Sequence, residues 1–365
     1  MAREKNGRPP QYSWADVVKR AVILAHYDPD GIVDPYVVHA ARGYRAVADR
    51  LILVSSSALT LPATLDGVVD DFLPRDNVGY DFCSWRDGLA LLGTPQDYDE
   101  VVCVNDSVYG PLFDLRSAFS ADGIRGADFW GMVMSAQRAA HVQSWFFAMR
   151  RPILESPVFR EFWDSVAPQD SKDAVIDRYE VGLTAKFRDA GFAIGAVFDG
   201  RECGRPTLSQ QMRNVSPFNP YRSGRHRRRV RRTGPPYNPS ELFWEPLWEA
   251  GVPYLKAGIF KINPYRMEPR RVLDATAQRW PEWGGLVANH LDRICVRWSD
   301  HRCGPDLQAA LLQQIFEIDP LACPTCHGAM RLVEFITQPS VIDHILTHRR
   351  TCAAREAPTG SAPPR

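Results

Sequence analysis

The chain has 365 residues, 45% of them hydrophobic and 24% charged, with a formal net charge of +1. That make-up can bury a sizeable core in one large domain plus an appendage or in two domains, and it sets up no global field for nucleic acid. No apolar run approaches bilayer-spanning length, MAREKNGRPP lacks the apolar core of a signal peptide, and the only close cysteine pair is Cys323 with Cys326. These features predict a cytoplasmic protein with reduced thiols.

Residues 1–18 read as a polar arm. Ala21 to Ala25 is a continuous apolar run, as in a buried parallel strand, and it ends in the loop His26-Tyr27-Asp28-Pro29-Asp30-Gly31. A helix from about Pro35 to Arg50 follows, with Val38, Ala41, Tyr44 and Val47 on one face. Leu51 to Val54 is a second strand, so a βαβ unit and a covered parallel sheet are predicted. The stretch PRDNVGYDFCSWRDG crowds Arg75, Asp76, Asn77, Tyr80 and Asp81 around Gly79 at a loop entering a helix. Helix capping accounts for Asp76 or Asn77 alone. The whole group can orient a base, a ribose or a phosphate through side chains and N-terminal amides.

The valine-rich strand Val101 to Val104 breaks into Asn105-Asp106-Ser107 and then Gly110-Pro111. In an α/β sheet the carboxyl ends of strands form the ligand-binding rim. Asp106 there can reach a divalent cation that bridges a diphosphate, whereas the bland alternative is an Asx-type turn. Strands are predicted at 127–133, 141–151 and 193–198. The second ends in Arg150 and Arg151, which either close on phosphates or form a solvated strand end. Helices are predicted at 157–163 and 173–190, the latter with Glu180 beside the stripe Ile176, Tyr179, Leu183 and Phe187. Residues 203–240 read as a long irregular loop holding RSGRHRRRVRR at 222–232. That run is either solvated or drawn to acidic lipid head groups or a polyanionic substrate, and without interleaved aromatics it is a poor nucleic-acid surface. A helix at 240–250 and short apolar segments at 253–256 and 260–264 complete this region.

The segments AHYDPDGIVDPYV, RDNVGYDFCSWRDGL, VCVNDSVYGP, DFWGM, HVQSWFFAMRR, RYEVGLTAKFRDAGF, NPSELFWEPLWEAGVPYLK and INPYR occur in this order. Together, over roughly residues 18–292, they resemble the rhamnan-synthesis protein F family of bacterial glycosyltransferases. The resemblance implies an α/β, GT-A-like fold over 19–294, a Rossmann-type mostly parallel sheet flanked by helices. It implies inverting transfer from a nucleotide sugar, dTDP-rhamnose foremost, to a lipid-linked or growing surface polysaccharide at the inner face of the membrane. The donor-facing residues would be His26, Tyr27, Asp28, Arg75, Asn77, Gly79, Tyr80, Asp81, Asn105, Asp106, Ser107 and Arg150. GT-A enzymes usually carry Asp-x-Asp where this chain has Asn105-Asp106-Ser107, so dependence on Mg²⁺ or Mn²⁺ at Asp106 stays open. Glu180 matches the general base, with Asp177 as the fallback.

Residues 313–348, within a tail at 295–356, resemble the C-terminal end of insertion-sequence 91-type transposases. Cys323 and Cys326 make half a zinc site that His344 and His348 can complete, and 357–365 read as disordered. The tail is expected to be dispensable, so that a chain ending after Asp292 binds nucleotide normally. Two rival readings remain. One is an inactive glycosyltransferase remnant fused to mobile-element sequence. The other is a nucleic-acid-binding protein using the arginine cluster and the CxxC tail, although the leading reading expects no nucleic acid.

Overall fold

The structure, a computed structural model, describes residues 18–216 and 218–294. The N-terminal arm and the tail with Cys323, Cys326, His344 and His348 lie outside the described residues.

The apolar runs form the predicted strands. β1 (Arg20–His26), helix α1 (Pro35–Arg45) and β2 (Arg50–Ser55) make the βαβ unit, and β3 (Asp71–Pro74) adds a parallel edge. Asp34 caps α1, and Pro35 occupies the first turn where its missing N–H costs nothing. Helix α2 (Tyr80–Leu92) leads to β4 (Glu100–Asn105), which lies parallel to β1. Then come β5 (Val108–Tyr109), β6 (Phe129–Ser135), β7 (His141–Val142) and β8 (Phe146–Arg150). The single aromatic strand predicted at 141–151 is thus two strands with a turn at Gln143–Trp145. Helices α3 (Pro157–Asp164) and α4 (Gly182–Asp189) precede β9 (Ile194–Asp199). The main sheet runs β3-β2-β1-β4-β8-β6-β7, with β9 also on β6. It is the expected mostly parallel sheet flanked by helices, with β8 running against β4 and β6.

The core is aromatic: Phe82, Trp85, Phe162, Tyr179 and Phe187 are buried with the strand residue Phe147 between the sheet and its covering helices. Each such side chain contributes about 1.5–3 kcal/mol of burial free energy, which holds the covering helices down. The helix predicted over 173–190 is interrupted. A turn of α-helix (Lys172–Val175) passes into a π-helical segment (Ile176–Val181) before α4. The wider turn buries Tyr179 and carries Glu180 toward the sheet rim. Such turns concentrate at functional sites.

The predicted long loop over 203–240 is a misreading. Residues 208–214 and 220–233 are helices, α5 (Leu208–Asn214) and α6 (Pro220–Thr233). Arginine is a good helix former, α5 has a full capping box at Thr207 and Gln210, and Asn219 caps α6. Buried His226 and Val230, one turn apart, supply an anchoring pair that charge density hides in the sequence. Strand β10 (Leu255–Lys256) pairs with β5, and helices α7 (Pro269–Arg279) and α8 (Pro281–Arg293) close the described chain. Among the described residues no helix is long and apolar enough to cross a membrane.

Candidate functional site

The site assembles where β1 and β4 end. Asp106, one residue past β4, accepts the backbone N–H of Tyr27 on Oδ2 at 2.9 Å, and its carbonyl accepts the Tyr36 hydroxyl at 3.1 Å. Asn105 is the hub beside it. Its Nδ2 donates to Asp81 Oδ2 at 2.7 Å, and its Oδ1 accepts from Ser107 through N (3.1 Å) and Oγ (2.6 Å). Asp81 sits in the first turn of α2, which is entered through Gly79 and its first residue Tyr80, both at positive φ. A Cβ on Gly79 would collide with Cys83, so only glycine lets the chain enter the helix here.

Lys256 closes the cluster from a distance of 149 residues. Its Nζ donates to Ser107 Oγ at 2.8 Å and lies 5.9 Å from the Trp145 ring centre. The β5–β10 pairing and the bond from Ala257 N to Ser107 O (3.0 Å) bring it there. At Gly110 any side chain would meet Pro253 O at 2.5 Å, so the close approach of these two segments requires glycine. Glu180 lies on the other flank. Its Oε1 accepts Ser144 N–H at 3.3 Å and is 3.4 Å from His141 Nε2.

Burial dominates the electrostatics. It pushes the Asp106 carboxyl up to about 7, helped by the charge of Asp81 and opposed by the Tyr27 N–H and Lys261. Burial likewise raises Asp81 and Glu241. It lowers the Lys256 ammonium, against the pull of Glu180 and Glu241. Glu180 behaves differently. Burial would raise it, but the His141 bond and charge, with Lys256, hold it below the usual carboxylate value. Burial would lower His141, but the Glu180 bond, the Ala139 carbonyl and the Glu180 charge together outweigh it and the net shift is upward. The site thus presents one firmly ionised carboxylate, Glu180, three that ionise reluctantly, and buried positive charge.

Asp81 and Asp106 each have one oxygen engaged by an N–H, and hard carboxylate oxygens suit Mg²⁺ or Mn²⁺. Among the described residues no group of three His, Cys, Asp or Glu side chains can hold a metal. A cation held by these two carboxylates would need substrate oxygens as well, the usual manner of Mg²⁺ with one or two carboxylates and a phosphate.

The other predicted residues are placed as follows. His26 is buried beneath the rim, bonded through its ring to Ser55 Oγ (2.9 Å) and Ile32 O (3.2 Å), and burial lowers its pKa. Tyr27 contributes its amide to Asp106 while its side chain is 47% exposed. Arg75 ties its loop together through Asp87 (2.8 Å), Ser84 (3.3 Å) and Val78 O (2.8 Å), and Asn77 is exposed. Two placements depart from expectation. Arg150 pairs in register with Glu100 and bonds it at 3.2 Å, at the opposite end of the sheet, because β8 runs antiparallel to β4. Asp177 is exposed and bonded to Arg138 at 2.6 Å. Lys256, Lys261, His141 and Glu241 were not singled out from the sequence. Two-residue strands carry no readable period, so the pairing that delivers Lys256 leaves only the short segment Pro253-Tyr254-Leu255-Lys256 as its trace.

Asp28 is part of a latch. Arg293, at the end of α8, bonds Asp34 (2.8 Å), Asp30 (2.9 Å) and Asp28, and so fixes the loop that follows β1. Ending the chain after Asp292 would delete this arginine, so a cut that spares the site belongs beyond Ile294. Arg293→Met leaves the buried carboxylates of Asp28 and Asp34 without their partner. It is expected to lower stability by about 2 kcal/mol, read as a shift in the urea midpoint at unchanged slope. Burial raises the Asp28 pKa, but the Arg293 bond and backbone N–H groups outweigh it and the net shift is downward. The Asp28 contribution is therefore present above its unfolded value of 3.8 and is lost as pH falls through the lowered folded value. The difference between the two proteins should shrink over that acid range.

The sequence model of the family described as Rhamnan synthesis protein F matches residues 51–218, just under half of the chain. "Virulence protein VirA" of Vibrio anguillarum is 25% identical over 219 residues, 59% of this chain and 70% of that protein. A protein of Sinorhizobium fredii, y4gN, is 28% identical over 155 residues, 41% of this chain and 40% of its own. Among solved structures, HddC from Yersinia pseudotuberculosis aligns with a TM-score of 0.32 at 14% identity, covering 50% of this chain and 90% of its own. The mannosyltransferase PcManGT from Pyrobaculum calidifontis, solved with GDP-Man and Mn²⁺, aligns with a TM-score of 0.31 at 14% identity over 85% and 91%.

Proposed function

We propose that the chain is a glycosyltransferase that holds a nucleotide-activated sugar at the rim formed by Asp81, Asp106 and Lys256 and uses Glu180 as its base. The observation that carries this reading is the continuous polar cluster from Asp81 through Asn105 and Ser107 to Lys256, at the carboxyl ends of the central strands. The family match over 51–218 supports it, since Asp81, Asp106 and Glu180 fall inside the matched span. Rhamnosyl from a dTDP donor, inversion at the sugar and a lipid-linked glycan acceptor are the finer form of the proposal and rest on that family.

Lys256 and Lys261 supply positive charge where the diphosphate would sit, and Asp81 with Asp106 would hold the cation. When bound, that cation stabilises the charge developing on the departing nucleoside diphosphate. Glu180, already ionised, accepts the proton of the acceptor hydroxyl as that oxygen bonds to the anomeric carbon and the bond from that carbon to the diphosphate oxygen breaks. Trp145, buried beside Lys256, helps keep water from the lysine.

A melting screen against dTDP, UDP and GDP, with and without Mg²⁺ or Mn²⁺, tests the reading. A ligand bound only by the native state at about 100 times its Kd adds roughly 2.7 kcal/mol. Lys256→Met is expected to weaken that nucleotide by about tenfold, the scale of a lost charge-assisted hydrogen bond, while Lys256→Arg restores part of it. Absence of stabilisation by all three nucleotides would favour the inactive-remnant reading. Unchanged affinity in Lys256→Met would move the diphosphate away from this lysine.

A further inference from the structure

Helix α6 carries a feature that the transferase reading does not use. Arg225, Arg228, Arg229 and Arg232 recur at helical spacing and, with Arg266, line a cleft of about 210 Å³. The cleft is built on fixed supports. His226 and Val230 are buried beneath it, His226 Nδ1 is 2.8 Å from Tyr265 O, and Arg229 Nε donates to Pro264 O at 2.7 Å. Arg266 reaches in from a turn in which it adopts a φ of 54°. No carboxylate lines the cleft, and among the described residues neither Arg228 nor Arg232 has an acidic partner. Burial, then the charges of Arg225 and Arg229, press the Arg266 pKa below its ordinary value. Five like charges gathered on a rigid frame repel one another until an anion enters. Guanidinium groups suit phosphoryl oxygens because they bind them in bidentate fashion.

One exposed aromatic adjoins the arginines and another lies two residues before the helix in sequence. Phe218 is 94% exposed, and Tyr221 is 69% exposed at the head of the same helical stripe, with the Arg225 guanidinium 5.4 Å from its ring centre. A soluble anion gives no use for an exposed phenylalanine. An acidic bilayer does, since its phosphates meet arginine while aromatic rings settle at head-group depth. We propose that this face of α6 docks on an acidic membrane surface, with the five-arginine cleft receiving phosphate head groups and Phe218 and Tyr221 entering the interface. The proposal does not rest on the glycosyltransferase reading.

The test is co-sedimentation of the full chain with vesicles of phosphatidylcholine alone or mixed with phosphatidylglycerol, at two salt concentrations. Binding is expected only to the mixed vesicles, and more weakly at high salt. Arg228→Gln with Arg232→Gln should lower partitioning by about tenfold or more. The charge-matched pair Arg227→Gln with Arg231→Gln, on the opposite side of α6, should change it less than about threefold if the cleft and not diffuse charge is responsible. Phe218→Ser should weaken binding with an unchanged melting temperature. Equal losses from the two arginine pairs would overturn the cleft as the site. So would absence of vesicle binding, whether accompanied by saturable uptake of inorganic pyrophosphate, which would make the ligand a soluble anion, or by tighter binding of a single-stranded oligonucleotide.

Discussion

Glu180→Gln is expected to reduce sugar transfer by roughly 100-fold or more while nucleotide-induced stabilisation survives, as the loss of a general base requires. The substitution keeps the side chain's shape and its contact with Ser144 N–H, but removes the carboxylate. Glu180 is suited to the role because the π turn carries it inward to 18% side-chain exposure, with His141 and Lys256 keeping it ionised. His141 supplies a readout independent of turnover. Its pKa is raised above 6.5 by Glu180 against the lowering by burial, so in Glu180→Gln it should fall, and a proton NMR titration measures this. The ion pair also sets a stability window. The Glu180 contribution holds above 4.5 and fades as pH drops through its lowered folded value. The His141 contribution is complete below 6.5 and fades as pH climbs through its raised one. Transfer at near-parent rate by Glu180→Gln would remove Glu180 as the base. Asp177 would be a poor successor, since it faces solvent and Arg138.

Asp106→Asn should weaken donor nucleotide by about 100-fold in the presence of Mn²⁺, the scale on which removing one partner of a buried charged contact acts. Turnover should fall with it. The apo protein should respond in the opposite sense. The folded pKa of about 7 exceeds the unfolded 3.8, so the native state binds more protons between those values and stability declines as pH rises through them. Asparagine carries no charge to desolvate. Asp106→Asn should therefore melt above the parent at pH 8 and converge with it near pH 4. The same proton competes with ligand, so donor affinity in the parent should drop as pH falls from about 8 to 6. Normal donor binding by Asp106→Asn, with and without metal, would reduce the loop to a structural turn.

The central strands were legible because parallel strands buried on both faces read as unbroken apolar runs, as in Ala21–Ala25, Leu51–Val54 and Val101–Val104. Asp106 was legible as a polar break at the end of such a run. Strand direction was not legible for β8. Nothing local distinguishes a parallel from an antiparallel partner, and that choice sends Arg150 to the far rim. The arginine helix was hidden for another reason. Its anchoring is two residues, His226 and Val230, too few to raise a 3.6-residue pattern above the charges. Lys256 depends on a tertiary pairing of two-residue strands, which no window of sequence contains.

The Arg293 latch has a consequence for how the protein is made. Its partner Asp28 lies 265 residues earlier. At elongation rates of about 5–20 residues per second, roughly 13–50 seconds separate the synthesis of the two. Throughout that interval the β1 loop on a nascent chain carries Asp28, Asp30 and Asp34 without their guanidinium, although the strands behind it can already pair. Securing of that loop should therefore wait until residue 293 has been made and has left the ribosome. Ribosome-stalled chains that expose residue 280 but not 293 are the species in which a folded sheet and an unsecured loop would be found together.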